Sequence, residues 1–171
     1  MTRHTFSLHL RLVVLLVAAS LLTAASPGQR AAQDELRAWK QVEAQVDSNN
    51  PQRLLDRAED YLTAFPEGQK KLEASYLAGR AALELERWTA CHHHFQSYLS
   101  SGGRKKVEVT SLRAMTCLAR DGRLTEAIPA LRNIANNDDD PQRAAAAIRE
   151  IVRAHLTTCL LYTSPSPRDR G

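Results

Sequence analysis

The chain has 171 residues, of which 43% are hydrophobic and 25% are charged. This mix is typical of one folded domain, and it excludes a disordered chain and a pair of large domains. Aromatic residues make up 5%, and β-branched residues are sparse beside alanine and leucine, which favours helices over a β-sandwich or barrel. Three cysteines exclude a dense disulfide framework.

The first segment predicts an export signal over residues 1–26. Arg3 and Arg11 give it a positive start, an apolar run follows over 12–25, and small residues at 23–25 suit cleavage. The run is shorter than the roughly 20 residues of a membrane-spanning helix, so we expect no stable membrane span after cleavage. The expected localisation is a periplasm or the outside of the cell.

The last segment breaks the helical pattern. The prolines of 164–167, SPSP, cannot continue a helix, so the last helix is predicted to end near Thr158. Residues 159–169, CLLYTSPSPRD, resemble the translation of a transposase sequencing adapter. That resemblance implies an artefactual or disordered tail over 159–171 and a natural protein that continues beyond Thr158; a natural proline-rich tail is the alternative.

The basic character of the chain lies mainly in these two ends. The formal net charge is +4, but 19 basic and 18 acidic residues remain between Pro27 and Thr158. We therefore expect no nucleic-acid partner.

Between the ends, apolar spacing and helix-ending residues predict seven helices. In the first, Leu36, Trp39, Val42 and Val46 share one face, and Asn50 caps the second ahead of Pro51. The predicted ranges are 35–46, 51–65, 70–86, 88–99, 107–120, 124–135 and 141–155.

The helices repeat with a period of 36 to 37 residues. Residue pairs at that shift include Tyr61 with Tyr98 and Cys91 with Ala127. The second and clearest unit carries Gly79, Cys91, Phe95 and Tyr98. The third unit repeats the second-helix part of this pattern at Ala127, Leu131 and Ile134. The first unit fits poorly at Leu54 and Ala58.

At these positions the chain resembles the tetratricopeptide repeat (TPR) family, over about 35–135. The resemblance implies an all-α fold of antiparallel helical hairpins stacked as a right-handed solenoid, with about three repeats and one unpaired helix in a truncated domain over 33–158. The phrase YLTAFP at 61–66 resembles exported bacterial envelope proteins of the outer-membrane-assembly lipoprotein and Tol-associated coordinator types. No lipid-attachment cysteine follows the leader.

The period also has a packing reason. Small residues such as Gly79 and Cys91 let two helices of a hairpin approach closely, and Phe95 and Tyr98 then fill the gap toward the next hairpin. Each hairpin has two apolar sides and is stable only in a stack.

The resemblance further implies an exported, non-enzymatic scaffold that binds a peptide or protein in a groove. Envelope assembly or maintenance is the role that such a scaffold would serve. Trp39 and Tyr76 are expected to be apolar anchors or core residues, and Arg80 and Arg120 to clamp carboxylates. The groove positions carried over from the family are Trp39, Glu43, Tyr76, Arg80, Glu84, Thr116 and Arg120. The alternatives are the N-terminal docking region of a larger exported enzyme or envelope-binding protein, and a structural spacer.

Two clusters invite a chemical interpretation. Consecutive helical residues point about 100° apart, so the run at 92–94, HHH, cannot converge on one metal, and we expect a solvated helix face beside a core cysteine. Cys91 and Cys117 lie in adjoining helices, where a disulfide is possible in an oxidising compartment but two small hydrophobic residues are favoured.

Two charged runs have simple structural roles. The acidic run at 138–140 is predicted to cap the helix that starts at Pro141 rather than to bind calcium. The basic run at 104–106 is expected to be a solvated charge cluster, able to contact anionic lipid or another protein. No catalytic constellation is present, and no cofactor or metal is expected.

Overall fold

The computed structural model describes residues 26–163, with side chains described as far as Cys159. Over that range the chain is all-helical, with seven helices and no strand, so the predicted all-α class is confirmed. The predicted export signal lies outside the described range except for Ser26, and so do the last residues of the predicted tail. The helices are α1 (Pro27–Val46), α2 (Pro51–Ala64), α3 (Lys71–Glu84), α4 (Trp88–Ser100), α5 (Val107–Arg120), α6 (Leu124–Asn137) and α7 (Pro141–Thr163).

The outermost helices are longer than the sequence predicted. Helix α1 begins at Pro27 rather than Glu35 because Ser26 and Gln29 form a reciprocal cap, with each side-chain oxygen accepting the other residue's backbone N–H. Helix α7 continues to Thr163, beyond its predicted end at residue 155, and the first proline in the sequence after it is Pro165.

The chain divides into two compact units, residues 1–38 and 39–171. In the first, the described residues 26–38 are the start of α1, stabilised by an ion pair between Arg37 and Asp34. Leu36, which was predicted to share one helical face with Trp39, Val42 and Val46, is 53% exposed.

In the second unit, consecutive helices from α2 to α7 pack on one another, and α5 also contacts α7. Asn50 caps α2 as predicted, because its side-chain oxygen accepts the N–H of Arg53 at 3.0 Å. Leu54, Ala58 and Tyr61 of α2 are buried, although the first repeat fitted the pattern poorly.

The turns inside two successive hairpins have the same geometry. Glu86, after α3, and Gly122, after α5, both adopt positive φ. One residue later, the N–H of Arg87 donates to the carbonyl of Ala82, and the N–H of Arg123 to that of Leu118. Each is a six-to-one helix-ending hydrogen bond of the Schellman type. These two turns lie 36 residues apart, but the same hydrogen bond also ends α4, where Gly102 has positive φ and the N–H of Gly103 donates to the carbonyl of Tyr98.

The small residues of the repeat lie where the sequence predicted. Gly79 packs directly against the ring of Phe95, which is fully buried together with Cys91. Tyr98 is 7% exposed, and its counterpart Ile134 packs half-buried against the core between α5, α6 and α7. The aromatic side chains thus fill the space beside the close helix contacts.

Cys91 and Cys117 are joined by a disulfide, with their Cα atoms 6.0 Å apart. The sequence favoured two unbonded hydrophobic cysteines, and that expectation was wrong. The bridge joins α4 to α5, which belong to different predicted hairpins. It closes a loop between residues 26 positions apart.

Candidate partner-binding surface

Tyr76, one of the predicted groove positions, lies in a cluster of aromatic rings. Its ring contacts the rings of Phe95 and Tyr98, at centroid separations of 6.0 and 5.6 Å. Its hydroxyl accepts a hydrogen bond of 3.0 Å from Arg113, and the ammonium of Lys106 lies 5.1 Å from its ring centroid. The side chain is half-buried, so Tyr76 belongs both to the packing between helices and to the surface.

Trp39 is a core residue. It is 3% exposed, and its ring packs edge-to-face on Tyr61 at 5.7 Å. The ammonium of Lys70 lies 5.2 Å from its ring centroid. Of the two alternatives that the sequence left open, the structure therefore favours core over an exposed apolar anchor.

Arg120 is already bound within the chain. Its guanidinium donates two hydrogen bonds to the carboxylate of Glu150, at 2.9 and 3.1 Å, and stacks over Trp88 at 5.5 Å. The hydrogen bonds to Glu150 raise the pKa of Arg120. Glu150 thus takes two of the five N–H donors of the guanidinium, and the expected role of Arg120 as a clamp on a partner's carboxylate stays a prediction.

The other predicted groove positions are more accessible. Glu43 and Glu84 are exposed, and Thr116 is half-buried. Arg80 forms only a long ion pair of 3.8 Å with Glu84, one helical turn away in α3. The structure brings Arg80 and Glu84 together at a small pocket of about 200 Å³ beside the turn after α1.

A second surface feature was only partly anticipated. The loop between α4 and α5 and the start of α3 enclose a cleft of about 450 Å³, which we call the basic cleft. Its cations are the run at 104–106, expected to be a solvated charge cluster. The lining residues are Leu72, Glu73, Tyr76, Tyr98, Gly102, Gly103, Arg104, Lys105 and Lys106.

Tyr98 fixes the loop of the basic cleft in place. Its hydroxyl donates a hydrogen bond to the carbonyl of Lys105, and Gly103 lies so close to its ring that a Cβ atom there would be 2.5 Å from the ring carbons. Lys106 ends the loop in the left-handed conformation, with φ of 61°. Because a buried tyrosine holds it at both ends, the loop presents its cations from a defined backbone.

The histidine run is only in part the solvated face that the sequence predicted, because His93 is exposed but His92 is half-buried and His94 is buried. His94 is 8% exposed, and its Nε2–H donates to a carboxylate oxygen of Glu59 in α2 at 3.0 Å. His92 donates through Nδ1 to the carbonyl of Ala114 at 3.1 Å. His93 and His94 lie at an open cleft of about 810 Å³ beside α2 and α3. Contacts with α2 and α5, which sequence spacing does not reveal, explain the difference.

The acidic run has the structural role that was predicted. Asp140 caps α7 by accepting the N–H of Gln142 at 2.8 Å. The carboxylate of Asp138 is 7% exposed and accepts hydrogen bonds from the guanidinium of Arg143, the shortest of them 2.7 Å. Those bonds, with a further one from the N–H of Asp140, hold the pKa of Asp138 below its usual value.

Among residues 26–159, no three side chains of the metal-binding types His, Cys, Asp and Glu are grouped so that they could hold an ion. None of the helices in the described part of the chain combines the length and the hydropathy needed to cross a bilayer.

No protein-family model matches the chain, and no curated protein is significantly similar to it in sequence.

Proposed function

We propose that the chain is an exported, non-enzymatic scaffold of TPR-like repeats, stacked as a right-handed solenoid, that binds a protein or peptide partner on the first helices of its hairpins. The observation that carries the proposal is that consecutive helices from α2 to α7 pack on one another, as they would in stacked hairpins. Helical units that pack in series build extended surfaces suited to protein contact.

The first helices are also linked to one another. Arg113 of α5 donates to the hydroxyl of Tyr76 in α3, and Arg120 of α5 binds Glu150 of α7. These contacts align successive first helices, so that accessible side chains on them, such as Glu84 and Thr116, could contact one partner together. A role in envelope assembly or maintenance agrees with the resemblance that the sequence shows.

The test is site-specific photocrosslinking in cells. A crosslinking residue is placed at Glu43 or Glu84, both exposed on first helices, and in matched controls at Gln96 or Thr125, both exposed on second helices. We expect the first pair to capture the same protein, in the periplasmic or secreted fraction, and the controls to capture none. Equal capture at all four positions, or none at any, would contradict a partner-binding groove, and the second outcome would favour the structural spacer.

One observation favours a second candidate, the docking region of a larger exported protein. Ile148, Val152 and Leu156 lie one turn apart along α7 and are each more than half exposed. Such a strip is typical of a helix that packs against another one. The test is to sequence the gene beyond codon 158: a long downstream domain with a catalytic or envelope-binding motif would support this candidate, and an early stop codon would exclude it.

A further inference from the structure

The basic cleft combines several cations with few anions. Arg104, Lys105 and Lys106 line it, and within the described residues none of the three has a carboxylate within ion-pairing distance. Glu73 is the one carboxylate among the lining residues, and it is paired with Lys70 at 3.1 Å. The unneutralised charge of the cleft is therefore strongly positive.

Arg113 extends this positive region beyond the loop. It donates to the hydroxyl of Tyr76, a lining residue, and it has no carboxylate partner among the described side chains. Lys106 lies over the face of the same ring. Both cations thus contact Tyr76, Lys106 at the ring face and Arg113 at the hydroxyl, while the net charge between Pro27 and Thr158 is only +1. Positive charge concentrated in a concavity focuses the field there and attracts an anionic ligand.

From this arrangement we infer that the basic cleft binds an acidic segment of a protein partner, with partner carboxylates between the loop cations and Arg113. The inference deepens the proposed function and rests on it, because it names the chemistry that one part of the scaffold recognises. The loop is held by Tyr98 before binding, so little of the binding free energy is lost in ordering it.

The shape of the cleft favours a peptide over a membrane surface. The cations line a concavity floored by Tyr76 and Tyr98, which an extended chain can enter and a flat bilayer cannot. Membrane-surface binding usually adds apolar side chains that insert beside the charges. The large exposed apolar side chains of the described range, Leu36, Ile148, Val152 and Leu156, lie on α1 and α7 and not on this loop.

The test measures binding of the full chain to a fluorescent 12-residue peptide of alternating glutamate and serine with one central leucine. The control is the same peptide with every glutamate replaced by glutamine. We expect the acidic peptide to bind at least tenfold more tightly than the neutral one, and the difference to shrink at high salt as the charges are screened. Equal binding of the two peptides would overturn the inference.

Two matched variants locate the site. Arg104→Gln, Lys105→Gln and Lys106→Gln together remove three charges from the cleft, whereas Lys40→Gln, Arg132→Gln and Arg149→Gln remove three exposed charges elsewhere. We expect the first variant to lose at least tenfold in affinity and the second less than twofold. An equal loss in both would mean that net charge, and not the cleft, attracts the peptide.

Two further measurements distinguish peptide binding in the basic cleft from membrane binding and from the proposed scaffold function. Vesicles containing anionic lipid are expected to bind more weakly than the acidic peptide; tighter binding to vesicles that is lost in the cleft variant would overturn the peptide assignment in favour of a membrane. The cleft variant is also introduced into the crosslinking strains. If the partner is captured as before, the scaffold function stands and the inference fails; if Glu43 and Glu84 capture nothing even in the wild type, the scaffold function itself fails.

Discussion

Gly79 of α3 lies directly against the ring of Phe95 in α4. A Cβ atom at position 79 would stand 2.7 Å from Cδ1 of that ring, closer than side-chain atoms normally approach. Phe95 is fully buried, so the ring has no free space into which it could move. The small residue at this point of the repeat is therefore required by packing and not by backbone conformation.

Gly79→Ala should destabilise the protein. Overpacking costs about 1–3 kcal/mol, which exceeds the gain of about 1 kcal/mol that alanine brings over glycine inside a helix. Chemical denaturation of Gly28→Ala is the control, because nothing lies within 4 Å of that position and only the helix preference should act. Phe95→Ala should lower the free energy of unfolding by about 3–5 kcal/mol, because it leaves a cavity where the buried ring was. Unchanged stability of Gly79→Ala would mean that α3 and α4 are less tightly packed than described.

The disulfide should contribute about 3.5 kcal/mol to stability, the chain-entropy value for a loop of this length. Replacing Cys91 and Cys117 together by alanine should lower the free energy of unfolding by about that amount, measured by urea denaturation in a Cys159→Ser background. The exposed Cys159 is the one free cysteine in the described range, so this background prevents disulfide exchange. If dithiothreitol leaves the stability of the parent protein unaltered, the bridge contributes nothing.

Thr110 of α5 is fully buried, and its hydroxyl has no hydrogen-bond partner. Thr110→Val keeps the shape and removes the unpaired group, so the protein should become up to about 1 kcal/mol more stable, or stay unchanged. Thr110→Ser keeps the hydroxyl and removes the methyl group, and it should destabilise. The stabilities of the two variants are compared with that of the parent by thermal unfolding. A loss of stability in the valine variant would show that the hydroxyl has a hydrogen-bond partner.

Asp138 should make stability depend on pH in the acid range. Hydrogen bonds from Arg143 lower the pKa of the Asp138 carboxyl in the folded protein. The contribution of Asp138 to the free energy of unfolding is therefore present above the unfolded pKa of about 3.9 and is lost as pH falls through the folded pKa. The free energy of unfolding of Asp138→Asn should therefore lie below that of the parent near neutral pH and approach it in strong acid. Asp139→Asn, exposed in the same run, is the matched control and should change the free energy of unfolding near neutral pH by no more than about 0.5 kcal/mol.

Arg120 and Glu150 should be energetically coupled. In a double-mutant cycle with Arg120→Gln and Glu150→Gln, we expect a coupling of about 1 kcal/mol or more in the free energy of unfolding, since the two side chains share two hydrogen bonds in a partly buried setting. If the two changes in the free energy of unfolding are additive and only the Arg120 variant loses partner capture, Arg120 binds the partner and not Glu150.

The all-α class and most of the helix boundaries were predictable from local signals. Proline at 51 and glycine at 102 and 122 mark helix boundaries through backbone geometry, and the 36-residue period fixes which small and aromatic residues meet. The site was less predictable, because its contacts join distant residues. Nothing in the spacing of Arg120 and Glu150, or of His94 and Glu59, distinguishes a bound pair from two solvated charges. The length of α1 was missed because the cap at Ser26 precedes a stretch without apolar periodicity.

The bridge between α4 and α5 also determines how the chain would respond to mechanical tension. If the protein were pulled from its two termini, residues on either side of the bridge could unravel, but the 26-position segment from Cys91 to Cys117 would be bypassed by the covalent link. About 90 Å of extended polypeptide would stay out of reach of the force. An oxidised and a reduced molecule would therefore differ in how far each can stretch before breaking.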